Sequence, residues 1–144
     1  MHRSHRFLLL AALCVTGPAA AAFDLRVLVT GIENDHGEIA CTLYDQGKGF
    51  PHDADRAVAV KRYAAVPGML TCTFNDVPPG RYAISATHDE NGNNKVDANV
   101  FGFSKEPWGV SNNIRPESRP PRFIESSVTM SPDRSLDLEV AIRK

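Results

Sequence analysis

The residue pattern of this 144-residue chain predicts an all-β fold, a single antiparallel β-sandwich of about seven strands with one long ordered loop. Three observations predict it. Apolar residues recur at alternate positions in segment after segment, Gly, Pro, Asn and Asp punctuate the intervals, and no stretch of a dozen residues keeps the helical period.

The chain opens with basic Arg3 and Arg6, an apolar run from Phe7 to Val15, and small residues around Ala20 to Ala22. These are the three parts of a secretory signal peptide, and the apolar run is too short to cross a bilayer as a helix. Residues 1–22 are therefore expected to be removed, leaving residues 23–144 as one sandwich domain, periplasmic or secreted, with no transmembrane span. Cys14 follows Leu13, where lipid attachment would want a small residue, which argues against a lipoprotein. Loss of Arg3 and Arg6 leaves 14 basic against 17 acidic residues, a net charge of −3. Nucleic acid is excluded as a partner on that balance, because phosphate binding needs clustered Lys and Arg.

The strands follow in order. "FDLRVLVTGI" sets Phe23, Leu25, Val27 and Val29 on one face. "EIACTLYD", "RAVAVKRYAAV" and "MLTCTFNDV" alternate similarly, and "RYAISATH" places Tyr82, Ile84 and Ala86 together. "RFIESSVTM", near Phe123 to Met130, is a weaker strand, and "LDLEVAI" closes the set with Leu136, Leu138, Val140 and Ile142 on one face. Between the fourth and fifth strands Pro78 and Pro79 cannot extend a ladder and Gly80 frees the turn, so the chain reverses before Tyr82.

Alternation points Cys41 at the core with Ile39 and Leu43, and Cys72 with Leu70 and Phe74. After export only these two cysteines remain, so an oxidising compartment leaves a single pairing, Cys41–Cys72. The alternative is two buried thiols that merely pack.

Two connections are long. "DQGKGFPHDADR", from Asp45 to Arg56, has room for a helical turn. The second, from Asp89 to about Arg122, carries Phe101, Phe103 and Trp108, the only tryptophan. A structureless loop of that length is uncommon in a compact domain unless it is functional or packed by its own side chains. Aromatics here either fold the loop back onto the sandwich or face a ligand; His88, Trp108, Asn112 and Asn113 are the candidate ligand-facing residues.

"HDENGNNKVD", residues 88–97, carries the chemistry. Read as a calcium loop, Asp89, Asn91, Asn93 and Asp97 take positions 1, 3, 5 and 9, and Lys95 at position 7 contributes only its backbone carbonyl. A hard cation taking six to eight oxygens suits Asp and Asn there. Two positions depart from the pattern. Position 6, usually glycine, is Asn94, which tolerates the left-handed conformation, and position 12 is Val100, which has no carboxylate. Further ligands then come from water or from Glu90, Glu106, Asn99, Asn112 or Asn113, and affinity is expected at about the millimolar level of extracellular modules. The competing reading is a polar turn, since Asn91-Gly92 is itself a tight-turn signal. Turn chemistry alone does not require oxygen at four alternate positions, which favours the ion.

Other chemistries find less support. His36, His52 and His88 show no paired metal spacing, although His88 at a strand end is a zinc or copper candidate. "GFSKE" lacks the glycine after serine of a nucleophile elbow. Both core-facing cysteines are poorly placed as catalytic thiols.

Residues 74–113, "FNDVPPGRYAISATHDENGNNKVDANVFGFSKEPWGVSNN", resemble the signature of an uncharacterised bacterial exported family, the domain-of-unknown-function family twenty-one forty-one. Its elements here are Phe74, Pro78 to Ala83, His88 to Asn99, Gly102, Pro107 and "GVSNN" at 109–113, with "VTGIENDHGEI" and "YDQGKGFP" matching earlier motifs. Asn94 stands where the family has glycine, and Val110 where it has phenylalanine. The resemblance implies an exported sandwich similar to transthyretin-type and carboxypeptidase-regulatory modules, with no established activity. The hydrolase relatives of the transthyretin-type hormone carrier need a His and Arg set and a C-terminal tyrosine motif that this chain lacks.

The function expected from these features is an exported, non-enzymatic binding or structural module whose long loop is ordered by calcium and whose surface meets an envelope protein or glycan. The alternatives are a metal-dependent hydrolase using the 88–97 loop with His88, and an ion-free scaffold.

Overall fold

The computed structural model describes Gly17, residues 22–95 and residues 104–144, and within them the regular structure is almost all strand. Strands β1 (Phe23–Ile32), β2 (Glu38–Tyr44), β3 (Ala59–Ala64), β4 (Gly68–Val77), β5 (Gly80–Asp89), β6 (Trp108–Val110), β7 (Val128–Met130) and β8 (Leu136–Ala141) form two sheets. The smaller has the order β4-β1-β8. The larger runs β3-β2-β5-β6, with β7 pairing the start of β5. Pairing is antiparallel except for β1 with β8, which run parallel from Leu25↔Leu136 to Thr30↔Ala141.

Alternation explains the core. Leu25, Val27 and Val29 of β1 meet Ile39, Cys41 and Leu43 of β2 and Ile84 and Ala86 of β5, all at or near zero exposure, with Cys72, Phe74 and Val140 completing the layer. Cys41 and Cys72 form a disulfide that ties the larger sheet to the smaller across that core.

The strand inventory departs from the sequence pattern in two places. "RFIESSVTM" splits into a single helical turn, α1 (Phe123–Ser126), and the three-residue β7. The Glu125 carboxylate accepts the Arg122 backbone N–H at 3.1 Å and both guanidinium nitrogens of Arg119, and this local pairing wins over extension. The eighth strand, β6, lies inside the long connection, where "WGV" offers too short an alternation to register as a strand.

The first long connection is packed rather than loose. A 3₁₀ turn at Ala54–Arg56 falls within it, with the Asp53 carboxylate accepting the Asp55 N–H. Phe50 meets Tyr44 edge-on at 5.4 Å, and Phe123 meets Phe50 at 6.2 Å. This aromatic row covers part of the outer face of the larger sheet, so Tyr44, Ala83 and Ser85 are buried as well as their inward neighbours. Burial pushes the Tyr44 hydroxyl up to about 12.

One side of the sandwich is closed and the other open. Trp108 and Arg143 exchange backbone hydrogen bonds at 3.1 and 3.2 Å, joining β6 to the end of the smaller sheet. On the opposite side β3 and β4 are both edge strands, linked by the Tyr63 hydroxyl accepting the Thr73 N–H.

Candidate functional site

The candidate loop begins where β5 ends. Asp89 pairs with Glu38 in the β2–β5 ladder, and its side chain, 3% exposed, lies inside the sheet end. Gly37 makes this possible: at φ +64° its backbone lies so close to Asp89 that a Cβ would overlap the Asp89 carbonyl oxygen.

From there the oxygens turn onto the loop's own backbone. Asp89 Oδ1 accepts the Asn93 N–H at 3.1 Å and Oδ2 the Asn94 N–H at 2.8 Å. Asn91 Oδ1 also accepts from Asn93 N at 3.0 Å, and Asn93 Oδ1 accepts from Lys95 N at 2.9 Å. Gly92 and Asn94 both adopt positive φ, at 69° and 60°, which winds the chain tightly. Asn94 thus takes the left-handed conformation that glycine would supply. Asp97 and Asn99 lie outside the described residues.

The neighbouring groups are engaged. Glu90 accepts from Asn34 Nδ2 at 2.8 Å and lies 3.2 Å from Lys144 Nζ; the Asn34 hydrogen bond first, then Lys144, holds its carboxyl below the usual range. Asp89 Oδ2 lies 3.7 Å from Arg62 Nη1. His88 is fully buried on the core face, with Nε2 2.7 Å from the His36 carbonyl and Nδ1 without a hydrogen-bond partner among the described residues. Among those residues no three His, Cys, Asp or Glu side chains gather as a metal-binding group.

The other candidate ligand-facing residues engage backbone groups or a neighbouring side chain. Asn112 Nδ2 donates to the carbonyls of Glu125 and Ser127 at 3.0 and 3.1 Å, and Asn113 Oδ1 accepts the Ala141 N–H at 2.8 Å. Trp108 is covered by the Arg115 guanidinium, 4.1 Å from the ring centre. That guanidinium also donates to the carbonyls of Trp108 and Arg143. Ser111, Arg115, Arg62 and Lys144 are participants the sequence pattern did not single out. Ser111 sits inside the quoted "GVSNN", while no spacing marks the other three.

An open groove lies between Phe50 and the Arg119–Ile124 segment, walled by Pro120, Pro121 and Phe123, with Ile124 at 60% exposure. No helix among the described residues is long and apolar enough to cross a membrane.

Fold and loop together define a small two-sheet β-sandwich module with an oxygen-rich loop at the end of a central strand. The chain belongs to the bacterial family described as uncharacterized protein conserved in bacteria, DUF2141, whose profile matches residues 27–136. No curated protein and no solved structure matches it.

Proposed function

We propose that the protein is an exported, non-enzymatic binding or structural module of the periplasm or the extracellular space, in which calcium orders the 89–97 loop. The observation that carries this reading is Asp89: a buried carboxylate, its side chain 3% exposed, whose two oxygens accept backbone N–H groups of the loop that follows. A buried anion needs compensation, and the Arg62 ion pair at 3.7 Å, longer than a hydrogen bond, supplies only part of it. Calcium would neutralise the carboxylates and offset the entropy of ordering a polar segment. Asp97 and the Lys95 carbonyl are assigned to the same ion on their spacing alone.

The residues at the loop support a binding role over a hydrolytic one. A general base must reach substrate, and the His88 ring is sealed in the core with its Nε2 on the His36 carbonyl. The signal-peptide pattern of residues 1–22 supports export. The partner proposed is an envelope protein or glycan, and the exposed apolar groove at Phe50 and Ile124 is the surface offered to it.

The experiment is thermal melting of chelator-stripped protein with and without calcium. A native-state ligand at about a hundred times its dissociation constant adds roughly 2.7 kcal/mol. Asp89→Ala abolishes that gain. A gain that survives the substitution moves the site elsewhere, stabilisation by zinc in place of calcium promotes His88, and no gain with any divalent ion leaves the ion-free scaffold.

A further inference from the structure

We infer that Arg62 is the displaceable counter-ion of Asp89, holding its carboxylate when no divalent cation is bound and giving way to calcium when it enters. This rests on the calcium reading proposed above.

The ladder brings the groups together. Arg62 stands on edge strand β3 opposite Ala40 of β2, and β2 sets Glu38 opposite Asp89 of β5. Arg62 Nη1 lies 3.7 Å from Asp89 Oδ2 and 3.9 Å from Glu38 Oε2. Both separations exceed a hydrogen bond, so the guanidinium is shared between two carboxylates and fixed to neither.

The three side chains differ in freedom. Those of Arg62 and Glu38 are 31% and 44% exposed, whereas that of Asp89 is 3% exposed and tied by two loop N–H bonds. The cation can therefore leave, and the buried carboxylate cannot follow it. Glu38 gives the guanidinium an alternative anion at the water-facing end of the same cluster.

Geometry makes the two cations exclusive. Calcium contacts its oxygens at about 2.3–2.6 Å, so an ion on Asp89 Oδ2 would sit within a few ångström of a guanidinium in its present place. Like charges at that separation repel, more so at a partly buried site than in water. Arg62 thereby raises the calcium concentration at which the loop fills, while keeping Asp89 compensated below it.

The test is calcium affinity by titration calorimetry on the wild type, R62Q, R62K and E38Q, with melting in chelator and at saturating calcium. R62Q binds calcium about five- to tenfold more tightly at low ionic strength, an advantage that shrinks as salt screens the repulsion. R62K keeps the charge and stays within about twofold of the wild type. E38Q removes the alternative anion and weakens calcium binding. In chelator R62Q melts below the wild type, the difference closes at saturating calcium, and it disappears in an Asp89→Asn background. Calcium uptake by the wild type with unchanged or weaker binding by R62Q overturns the role of Arg62 alone. No calcium uptake by the wild type overturns the calcium reading and this inference with it.

Discussion

Ser111 Oγ accepts the backbone N–H of Ile84 at 3.0 Å and donates to the Ser126 carbonyl at 2.5 Å, filling a gap in the β5 ladder with a side chain. β6 pairs with residues 85–87 of β5 and β7 with residues 80–82, so neither short strand serves Ile84. Ser111→Ala leaves a buried N–H and a buried carbonyl without that partner, at an expected cost of about 1–3 kcal/mol. Urea denaturation should show a lower midpoint at unchanged slope. A midpoint equal to the wild type's would mean that the two backbone groups do not depend on this hydroxyl.

The disulfide offers a second prediction. Cys41 and Cys72 are 31 residues apart and join opposite sheets, so the bond restricts the unfolded chain in addition to fixing the two layers. The double substitution Cys41→Ala/Cys72→Ala should cost about 3–4 kcal/mol on the chain-entropy account. The loss of buried sulfur adds a cavity term. Both residues are fully buried, so a reductant that leaves the wild type folded should reach the bond only as the protein opens. Melting curves with and without reductant should differ for the wild type and coincide for the double variant.

Much of the sandwich could be read from alternation because a half-buried strand must repeat at two. Leu25, Val27 and Val29 could not turn outward without exposing the whole set, and the predicted faces of β1, β2 and β5 are the buried ones. Alternation fails where side-chain bonds decide. Glu125 draws Arg119 and the Arg122 N–H into one turn of helix, and Ser111, Asn112 and Asn113 hold their segment through backbone groups distant in sequence. The oxygen spacing of Asp89, Asn91 and Asn93 is visible in sequence, whereas the approach of Arg62 depends on the β3–β2–β5 register. Nothing in residues 56–66 alone fixes that register. The parallel pairing of β1 with β8 is likewise invisible locally, since it joins the two ends of the domain.

Glu125 should mark the acid limb of stability. Its hydrogen bonds with Arg119 and the Arg122 N–H lower its carboxyl from the ordinary 4.5 to about 2. A folded-state value below the unfolded one stabilises the native state fully above about 4.5, and the contribution drains away as pH falls towards 2. The pair is at the surface, so the effect should shrink in high salt. Glu125→Gln should flatten the pH dependence of the melting temperature between those two values and leave the neutral-pH slope unchanged. An acid limb identical to the wild type's in low salt would remove Glu125 from the account.

Two glycines with similar φ separate a crowded approach from a merely left-handed turn. Gly37 has φ +64° and lies under the Asp89 carbonyl, where a Cβ cannot fit; Gly92 has φ +69° and, among the described residues, nothing within 4 Å of where its Cβ would go. Gly92→Ala should therefore lose only the conformational term, about 1–2 kcal/mol. Gly37→Ala carries that term and must also separate residue 37 from β5 by shifting backbone, because the obstacle is the carbonyl of Asp89 rather than a flexible side-chain tip. The shift falls on the residue whose carboxylate organises the loop, so Gly37→Ala should reduce stability by more than Gly92→Ala and also weaken the N–H bonds from Asn93 and Asn94. Amide hydrogen exchange can read both consequences, with faster exchange at Asn93 and Asn94 expected in Gly37→Ala. Equal stability losses in the two variants, with unchanged exchange at those amides, would show that the approach of Gly37 to Asp89 does not hold the loop.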